Sequence, residues 1–275
     1  MNTIKTLNNI VKKAFILLAT VMVGITASAQ YAAPKIIAHR GFHKSEGAAR
    51  NSLNALKAAQ EAGIWGSECD LQLTKDGEVL VVHGPSHPGK KDTSPRVNVN
   101  HSTKEKVQSI PLESGETVPT FEEYLNQLAQ SKNTKLIIEI KDQPTPQLET
   151  EIVEKTVAMV AAHKLENEVE YIAFRPWVCW ELARLAPEGT KIAYLNGDYT
   201  PAYCKAMGCA GIDYNYKVLK KKKSWIKQAH ELGMYVNAWT VNKEEDIRWC
   251  IENGVDYITT DNPMLIQQII NEMRK

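Results

Sequence analysis

A (β/α)8 TIM barrel is the fold class the sequence predicts, on three observations. Eight short apolar runs recur along the chain, and each is followed by a stretch with helical spacing. Strands alternating with helices imply parallel pairing through helical crossovers, and eight such units need about 250 residues. The most chemically loaded residues stand at the ends of these runs, where a barrel opens to ligand. An open doubly wound sheet is the competing architecture, but no glycine-rich phosphate loop follows the first run.

The chain has 275 residues and is 43% hydrophobic, enough for one large core. Residues 1–29 stand apart from the fold. Lys5, Lys12 and Lys13 precede the apolar run Ala14 to Ile25, and Ala27-Ser28-Ala29 supplies small residues for cleavage. This is the pattern of a secretory signal peptide cut before Gln30, and it places the mature chain in the periplasm or outside the cell. The apolar run is short for a membrane span, which takes roughly 20 residues. No stable membrane insertion is expected after cleavage. Loss of the three lysines takes the balance from +1 to about −2. That argues against nucleic acid, which favours a basic face, while leaving room for a small anionic ligand.

The elements follow in order. Lys35 to Ala38 reads as the first strand, running into His39-Arg40-Gly41. Asn51-Ser52 caps a helix over Leu53 to Ala62 that stops at Gly63. Ser67 to Leu73 is the second strand. Asp76-Gly77 turns the chain into a returning strand, Glu78 to His83, so a hairpin interrupts the alternation. Residues 84–119, rich in Pro, Gly, Lys, Ser and Asn, form a small irregular insertion with a short helix near Ser102 to Gln108; such insertions serve as lids or binding loops or stay disordered. Thr120-Phe121-Glu122-Glu123 opens a helix by a capping box.

From there strands at Lys135–Ile140, Val169–Phe174, Lys191–Leu195, Gly211–Tyr216, Met234–Val241 and Tyr257–Thr260 alternate with helices at Leu148–His163, Trp177–Leu185, Pro201–Met207, Lys221–Leu232, Lys243–Glu252 and Met264–Met273. Residues 30–275 thus form a single barrel domain. Its five cysteines, Cys69, Cys179, Cys204, Cys209 and Cys250, match no zinc spacing. Cys204 and Cys209 are near enough in sequence to pair in an oxidising compartment; buried free thiols are the alternative.

The strand ends converge on one mouth. His39 and Arg40 end the first strand, and His83 ends the returning one. Glu68 and Asp70 lie two apart and so share a face, as do Glu139 and Lys141 on the third strand. Trp239 lies near the end of the seventh. Three carboxylates in one small volume repel one another unless a cation neutralises them, and oxygen ligands suit Mg²⁺ or Ca²⁺ better than Zn²⁺.

In this order the motifs resemble the glycerophosphodiester phosphodiesterase family over nearly the whole mature chain. The residues that carry the likeness are His39-Arg40-Gly41, Glu68-x-Asp70, Thr74-x-Asp76-Gly77, His83, Glu139-x-Lys141, Pro119 to Glu123 and Thr260-Asp261-Asn262-Pro263. The resemblance implies a metal-dependent phosphodiesterase acting on a small glycerophosphodiester. By it His39 and His83 are the catalytic acid and base, and Glu68, Asp70 and Glu139 hold one divalent cation, Mg²⁺ or Ca²⁺. Arg40, Lys141 and Trp239 are expected at the substrate. Two departures stand out. Ala49-Arg50-Asn51-Ser52 replaces the family's Pro-Glu-Asn-Thr, with Glu46 as a candidate substitute acid. Gly84 replaces the aspartate that usually follows the second histidine. These departures motivate the competing reading, a phosphate-binding barrel without turnover. A two-carboxylate glycosidase gives no role to two histidines or a third acid.

Overall fold

The computed structural model describes residues 33–84, 97–131 and 133–274. The expected signal peptide lies outside the described residues. Nine strands form one sheet: β1 (Lys35–Ala38), β2 (Gly66–Leu73), β3 (Val79–Val81), β4 (Lys135–Ile140), β5 (Val169–Ala173), β6 (Ile192–Tyr194), β7 (Gly211–Asn215), β8 (Tyr235–Trp239) and β9 (Tyr257–Thr260). All neighbours pair in parallel except β3, which runs antiparallel to β2, and a β1–β2 pairing closes the ring. The result is the expected eight-stranded parallel barrel, with β3 as an added flap.

The helices are α1 (Leu53–Glu61), α2 (Lys104–Gln108), α3 (Phe121–Leu128), α4 (Pro146–Ala162), α5 (Pro176–Leu185), α6 (Pro201–Ala206), α7 (Tyr216–Lys221), α8 (Ser224–Glu231), α9 (Glu244–Glu252) and α10 (Pro263–Met273). Side-chain caps set where several begin. Ser52 Oγ accepts from Ala55 N at α1, and Thr120 and Glu123 form a reciprocal capping box at α3. Thr145 and Thr200 cap α4 and α6, each followed by a proline in the first turn.

Strand alternation divides the core in two. Outward-facing Cys69, Leu71, Ile138 and Ile140 pack with the helices in the main apolar cluster. Inward-facing Ile37, Ile137, Ile172, Ala193, Leu195 and Tyr257 fill the barrel itself. The barrel has room for little else: a Cβ on Gly211 would lie 2.5 Å from the Tyr235 ring.

Three sequence expectations change. The returning strand is shorter than Glu78 to His83, so His83 lies two residues beyond β3. The helix expected over Lys221 to Leu232 is α8, which starts later at Ser224, and a further short helix, α7, precedes it directly after β7. The described part of the insertion is not loose. It carries a short 3-10 turn (Val99–His101) and α2, and it buries Val99, Val107, Leu112 and Val118 against Ala49, Leu80 and Val82. All five cysteines are buried and unpaired, so the Cys204–Cys209 pairing does not form; the Cys204 thiol lies 3.2 Å from the Tyr214 hydroxyl instead. Among the described residues, no helix is long and apolar enough to cross a membrane.

Gly41 fixes how the chain leaves β1. Its φ is +79°, and an added Cβ would meet Ala55 Cβ at 2.6 Å and the Ala55 carbonyl carbon at 2.9 Å. Gly47, in the same loop, has φ +71° with nothing within 4 Å of a Cβ. Gly47→Ala should therefore cost only the left-handed backbone penalty, roughly 1–2 kcal/mol. Gly41→Ala should cost a further roughly 1–3 kcal/mol from the forced overlap with α1. Urea unfolding of the two variants checks this, and equal losses would mean that the approach to Ala55 constrains nothing.

Candidate active site

The site begins where β1 ends. His39 N still pairs with Thr260 O at 2.9 Å, extending the sheet by one residue. The chain then turns sharply, with Arg40 at φ 55° and Gly41 at φ 79°. A left-handed arginine is strained, and such strain persists only where surrounding bonds impose it. Here Arg40 N donates to Glu68 Oε2 at 2.7 Å, and Arg40 O accepts from Asn51 N at 3.0 Å. Asn51 is also left-handed, at φ 62°. Its side chain clasps Asp70 twice: Nδ2 donates to Asp70 Oδ2 at 2.8 Å, and Oδ1 accepts from Asp70 N at 3.1 Å. The loop between β1 and α1 is thus tied to both acids of β2.

Glu68 and Asp70 point inward because they alternate with outward-facing Cys69 and Leu71. The β2–β4 register pairs Asp70 with Glu139, which brings the third acid alongside. One oxygen from each of Glu68, Asp70 and Glu139 lies within 4.8 Å of the others, and all three residues are buried. Two fixed cations adjoin them. Arg40 Nε is 3.2 Å from Asp70 Oδ2, and Lys141 Nζ is 2.6 Å from Glu139 Oε1 and 3.5 Å from Asp70 Oδ1.

The protonation equilibria reflect this crowding. Burial, with Asp70 and Glu139 close by, pushes Glu68 well above the usual carboxylate range. Burial also raises Glu139, against the pull of Lys141. For Asp70 burial works upward, but Lys141, Arg40 and His83 outweigh it and hold the group well below its ordinary value. Lys141 moves up despite burial, because Glu139 and Asp70 favour its charged form. Glu68 Oε1 and Asp70 Oδ1 are buried and make no hydrogen bond among the described residues. A divalent cation fits this donor set: converging carboxylate oxygens, two of them unsatisfied, with mutual repulsion to relieve.

His39 and His83 both lie close enough to Asp70 to feel its charge. His39 Nδ1 is 2.7 Å from Asp261 Oδ1. Asp261 also receives His43 Nε2 at 3.2 Å and, on Oδ2, Asn242 Nδ2 at 2.7 Å. Asn242 Oδ1 in turn accepts from Asp261 N. Burial lowers the His39 pKa, and the Asp261 hydrogen bond opposes it without winning. The carboxyl of Asp261 is held far below its usual range; burial opposes this, but the bonds from His39, His43 and Asn242 prevail.

The backbone around His83 is held on both sides, and its ring Nδ1 lies 3.4 Å from Gly84 O. Val82 N donates to Asp70 O at 2.8 Å, and His83 O accepts from Gln72 Nε2 at 2.6 Å. Gly84 follows at φ 80°, and a Cβ there would sit 2.2 Å from Gln72 Nε2. A side chain at this position would need a left-handed backbone and would displace the Gln72 amide from the His83 carbonyl. Trp239 ends β8, half-buried, with Nε1 donating to Asp213 O at 2.9 Å and its ring meeting Phe174 edge-on at 5.6 Å.

The structure thus gathers His39, Arg40, Glu68, Asp70, Glu139 and Lys141, with His83 beside them and Trp239 at the rim. Glu46 is exposed and outside the acidic cluster, so it does not replace the missing acid. Of the Asn51-Ser52 pair expected to cap α1, Ser52 is the cap, and Asn51 instead holds Asp70. Sequence reasoning gave Asp261 and Asn242 no role. The signal for Asp261 was present: it lies two residues beyond Thr259, itself two beyond Tyr257 on the inward face.

Comparison with known proteins follows the same line. The sequence profile of the glycerophosphoryl diester phosphodiesterase family matches residues 39–265. The chain is 28% identical over 248 residues to a glycerophosphodiester phosphodiesterase of Caldanaerobacter subterraneus subsp. tengcongensis, covering 87% of this chain and 98% of that protein. It is 37% identical to a glycerophosphodiester phosphodiesterase of known crystal structure from Parabacteroides distasonis, with a TM-score of 0.82, covering 88% of this chain and 99% of that one. An Oleispira antarctica phosphodiesterase, solved with the product sn-glycerol-3-phosphate, shares the fold at 22% identity and a TM-score of 0.73, covering 86% and 97% of the two chains.

The pairing of His39 with Asp261 makes a measurable demand. Its imidazole should titrate below the ordinary value of about 6.5. Because Asp261 favours the protonated ring, Asp261→Asn should lower that pKa further. Following the His39 ring resonances by NMR against pH tests the sign. A rise in the variant would mean that Asp261 does not support the charged imidazole.

Proposed function

The chain belongs to the glycerophosphoryl diester phosphodiesterase family, and on that footing we propose that it hydrolyses glycerophosphodiesters to an alcohol and glycerol phosphate. The reaction depends on one divalent cation, Mg²⁺ or Ca²⁺, and on two histidines. The observation that carries this reading is the charge arrangement: three buried carboxylates, two fixed cations and two histidines within one barrel mouth.

Glu68, Asp70 and Glu139 would hold the cation. When bound, it supplies Lewis-acid stabilisation of the charge that builds on the phosphoryl oxygens. Arg40 and Lys141 bind and orient the phosphate, and their positive charges are fixed before substrate arrives. Trp239 and Phe174 form an aromatic wall at the rim against which the alcohol packs.

The two histidines divide the proton work. Asp261 engages His39 Nδ1, which leaves Nε2 as the acceptor on a ring that burial keeps neutral. His39 is therefore the base: it takes the proton from the attacking oxygen as the new P–O bond forms. His83 gives its proton to the departing alcohol oxygen as the old P–O bond breaks. A barrel that only binds phosphate has no use for this division. The amino-terminal pattern supports export to the periplasm or beyond, with residues 1–29 removed.

Two predictions test the reading. Chelator should abolish activity and Mg²⁺ or Ca²⁺ restore it, and Asp70→Asn should remove most activity while the chain stays folded. Burial and its neighbours raise Glu68 toward its protonated form, so cation binding should release protons and tighten as pH rises. Calorimetry in buffers of different ionisation enthalpy reads that release. Full activity in excess chelator would refute the metal dependence.

The second prediction concerns the histidines. The pH–rate profile should be bell-shaped. Its acid limb is set by His39, which accepts no proton once protonated, and it should lie below the ordinary histidine value because burial lowers this group. His39→Ala and His83→Ala should each cost about 10²–10⁴-fold in rate. On a nitrophenyl diester, whose leaving group needs little protonation, only His83→Ala should recover. Equal impairment of both variants on that substrate would overturn the assignment.

A further inference from the structure

A basic and aromatic patch lies at the same end of the barrel as the site and has no part in the chemistry above. Helix α7 starts directly after the carboxyl end of β7, and α8 then returns the chain to the start of β8. Lys217, Lys220, Lys221, Lys222 and Lys223 crowd this mouth-side turn, and all are exposed. Lys220 pairs with Asp246 at the start of α9. Lys217, Lys221, Lys222 and Lys223 have no carboxylate within ion-pair distance among the described residues, and the nearby acids Glu244 and Glu245 are paired with Arg248 and Lys243. On a mature chain whose overall balance is about −2, this is a local excess of positive charge.

Aromatic side chains continue the rim. Strands β5, β6 and β7 are neighbours in the sheet, so the segments that follow them adjoin at the mouth. Trp177 and Trp180, near the start of α5, are 41% and 50% exposed, and Tyr203 on α6 is 47% exposed. These are large apolar groups left in water. Trp177 is held by a hydrogen bond from Nε1 to Thr150 Oγ1, and Lys222 lies 3.8 Å from the centre of the Trp225 ring. Val218 of α7 packs where a Cβ on Gly197, in the β6–α6 loop, would fall, which joins the lysine segment to the aromatic one.

We infer that this rim docks on the surface of an anionic phospholipid bilayer. Clustered lysines are drawn to anionic headgroups, and tryptophan and tyrosine favour the headgroup level, where one end of the ring is apolar and the other wet. Charge complementarity selects the anionic surface, and the exposed indoles add contact that simple counter-ion attraction does not require. Docking in this way brings the barrel mouth to the lipid.

Co-sedimentation with phosphatidylcholine vesicles, with and without phosphatidylglycerol, tests the inference. The purified chain should bind the anionic vesicles and be released by salt. The combined variant Lys217→Gln, Lys221→Gln, Lys222→Gln and Lys223→Gln should bind at least about 100-fold more weakly. Trp177→Ala with Trp180→Ala should weaken the binding that survives at physiological salt. Neither variant should change turnover of a soluble diester or the melting temperature. Any contribution of the apolar amino-terminal run is common to all forms and drops out of the comparison. Undiminished binding by the lysine variant would overturn the inference. So would tighter binding to a single-stranded oligonucleotide than to vesicles, with the same lysine dependence and no response to the tryptophan changes, which would assign the patch to nucleic acid.

Discussion

Three carboxylates buried in one volume are the constraint from which the rest of the site follows. Taken alone, Glu68, Asp70 and Glu139 carry three negative charges in a setting where burial penalises each. Arg40 and Lys141 offset two, which leaves one in excess. Burial and the neighbouring acids push Glu68 toward its protonated form, which acts to relieve that excess. The proposed divalent cation would bring the balance to one positive charge, which a singly charged phosphodiester would neutralise. The same groups that make the cluster unfavourable when empty thus set the charge of the ligand it accepts.

Holding the acids together also explains the backbone strain. Arg40 and Asn51 are left-handed non-glycine residues, and each is tied to an acid of β2: Arg40 through its amide to Glu68, Asn51 through both ends of its side chain to Asp70. A relaxed loop would leave Glu68 without its amide donor and Asp70 without its clasp. The change from Glu to Arg at residue 50 leaves this arrangement intact, because the neighbouring Asn51 makes the contacts and Ser52 caps the helix. At Gly84 the positive φ favours glycine, and a side chain there would have to displace the Gln72 amide that bonds the His83 carbonyl.

Much of this was legible in the sequence because a barrel strand has period two. Once Glu68 and Asp70 stand two apart, as do Glu139 and Lys141, a parallel pairing brings them to one mouth whatever the details of the helices. What the sequence did not show is register and loop path. That Asp70 lies directly beside Glu139 is a property of the β2–β4 pairing. That Asn51 reaches Asp70 depends on a turn with positive φ at a non-glycine residue, which composition does not announce. The short α7 was missed because its six residues follow β7 directly, with Tyr216 read as the end of that strand and Lys221 as the start of the next helix. The insertion read as irregular from its Pro, Gly and Lys content, yet it closes over Leu80 and Val82 with four apolar residues scattered among polar ones.

The two histidines are held by different means, and the roles proposed for them follow that difference. His39 sits one residue past a barrel strand, still paired to β9, and Asp261 from that same neighbouring strand end fixes its ring. Backbone and ring are therefore positioned by one pair of strands. Asp261 is itself held through Oδ2 by Asn242, and His43 meets the same Oδ1 that His39 does, so both carboxylate oxygens are engaged. A base needs this: one nitrogen occupied and the other presented in a constant direction. His83 comes instead from the antiparallel flap, two residues beyond a three-residue strand, and its placement depends on Gln72 and on the turn at Gly84. On the proposed division of labour, the base is therefore carried on the barrel wall and the acid on the flap, so the two groups reach the phosphate from separate elements.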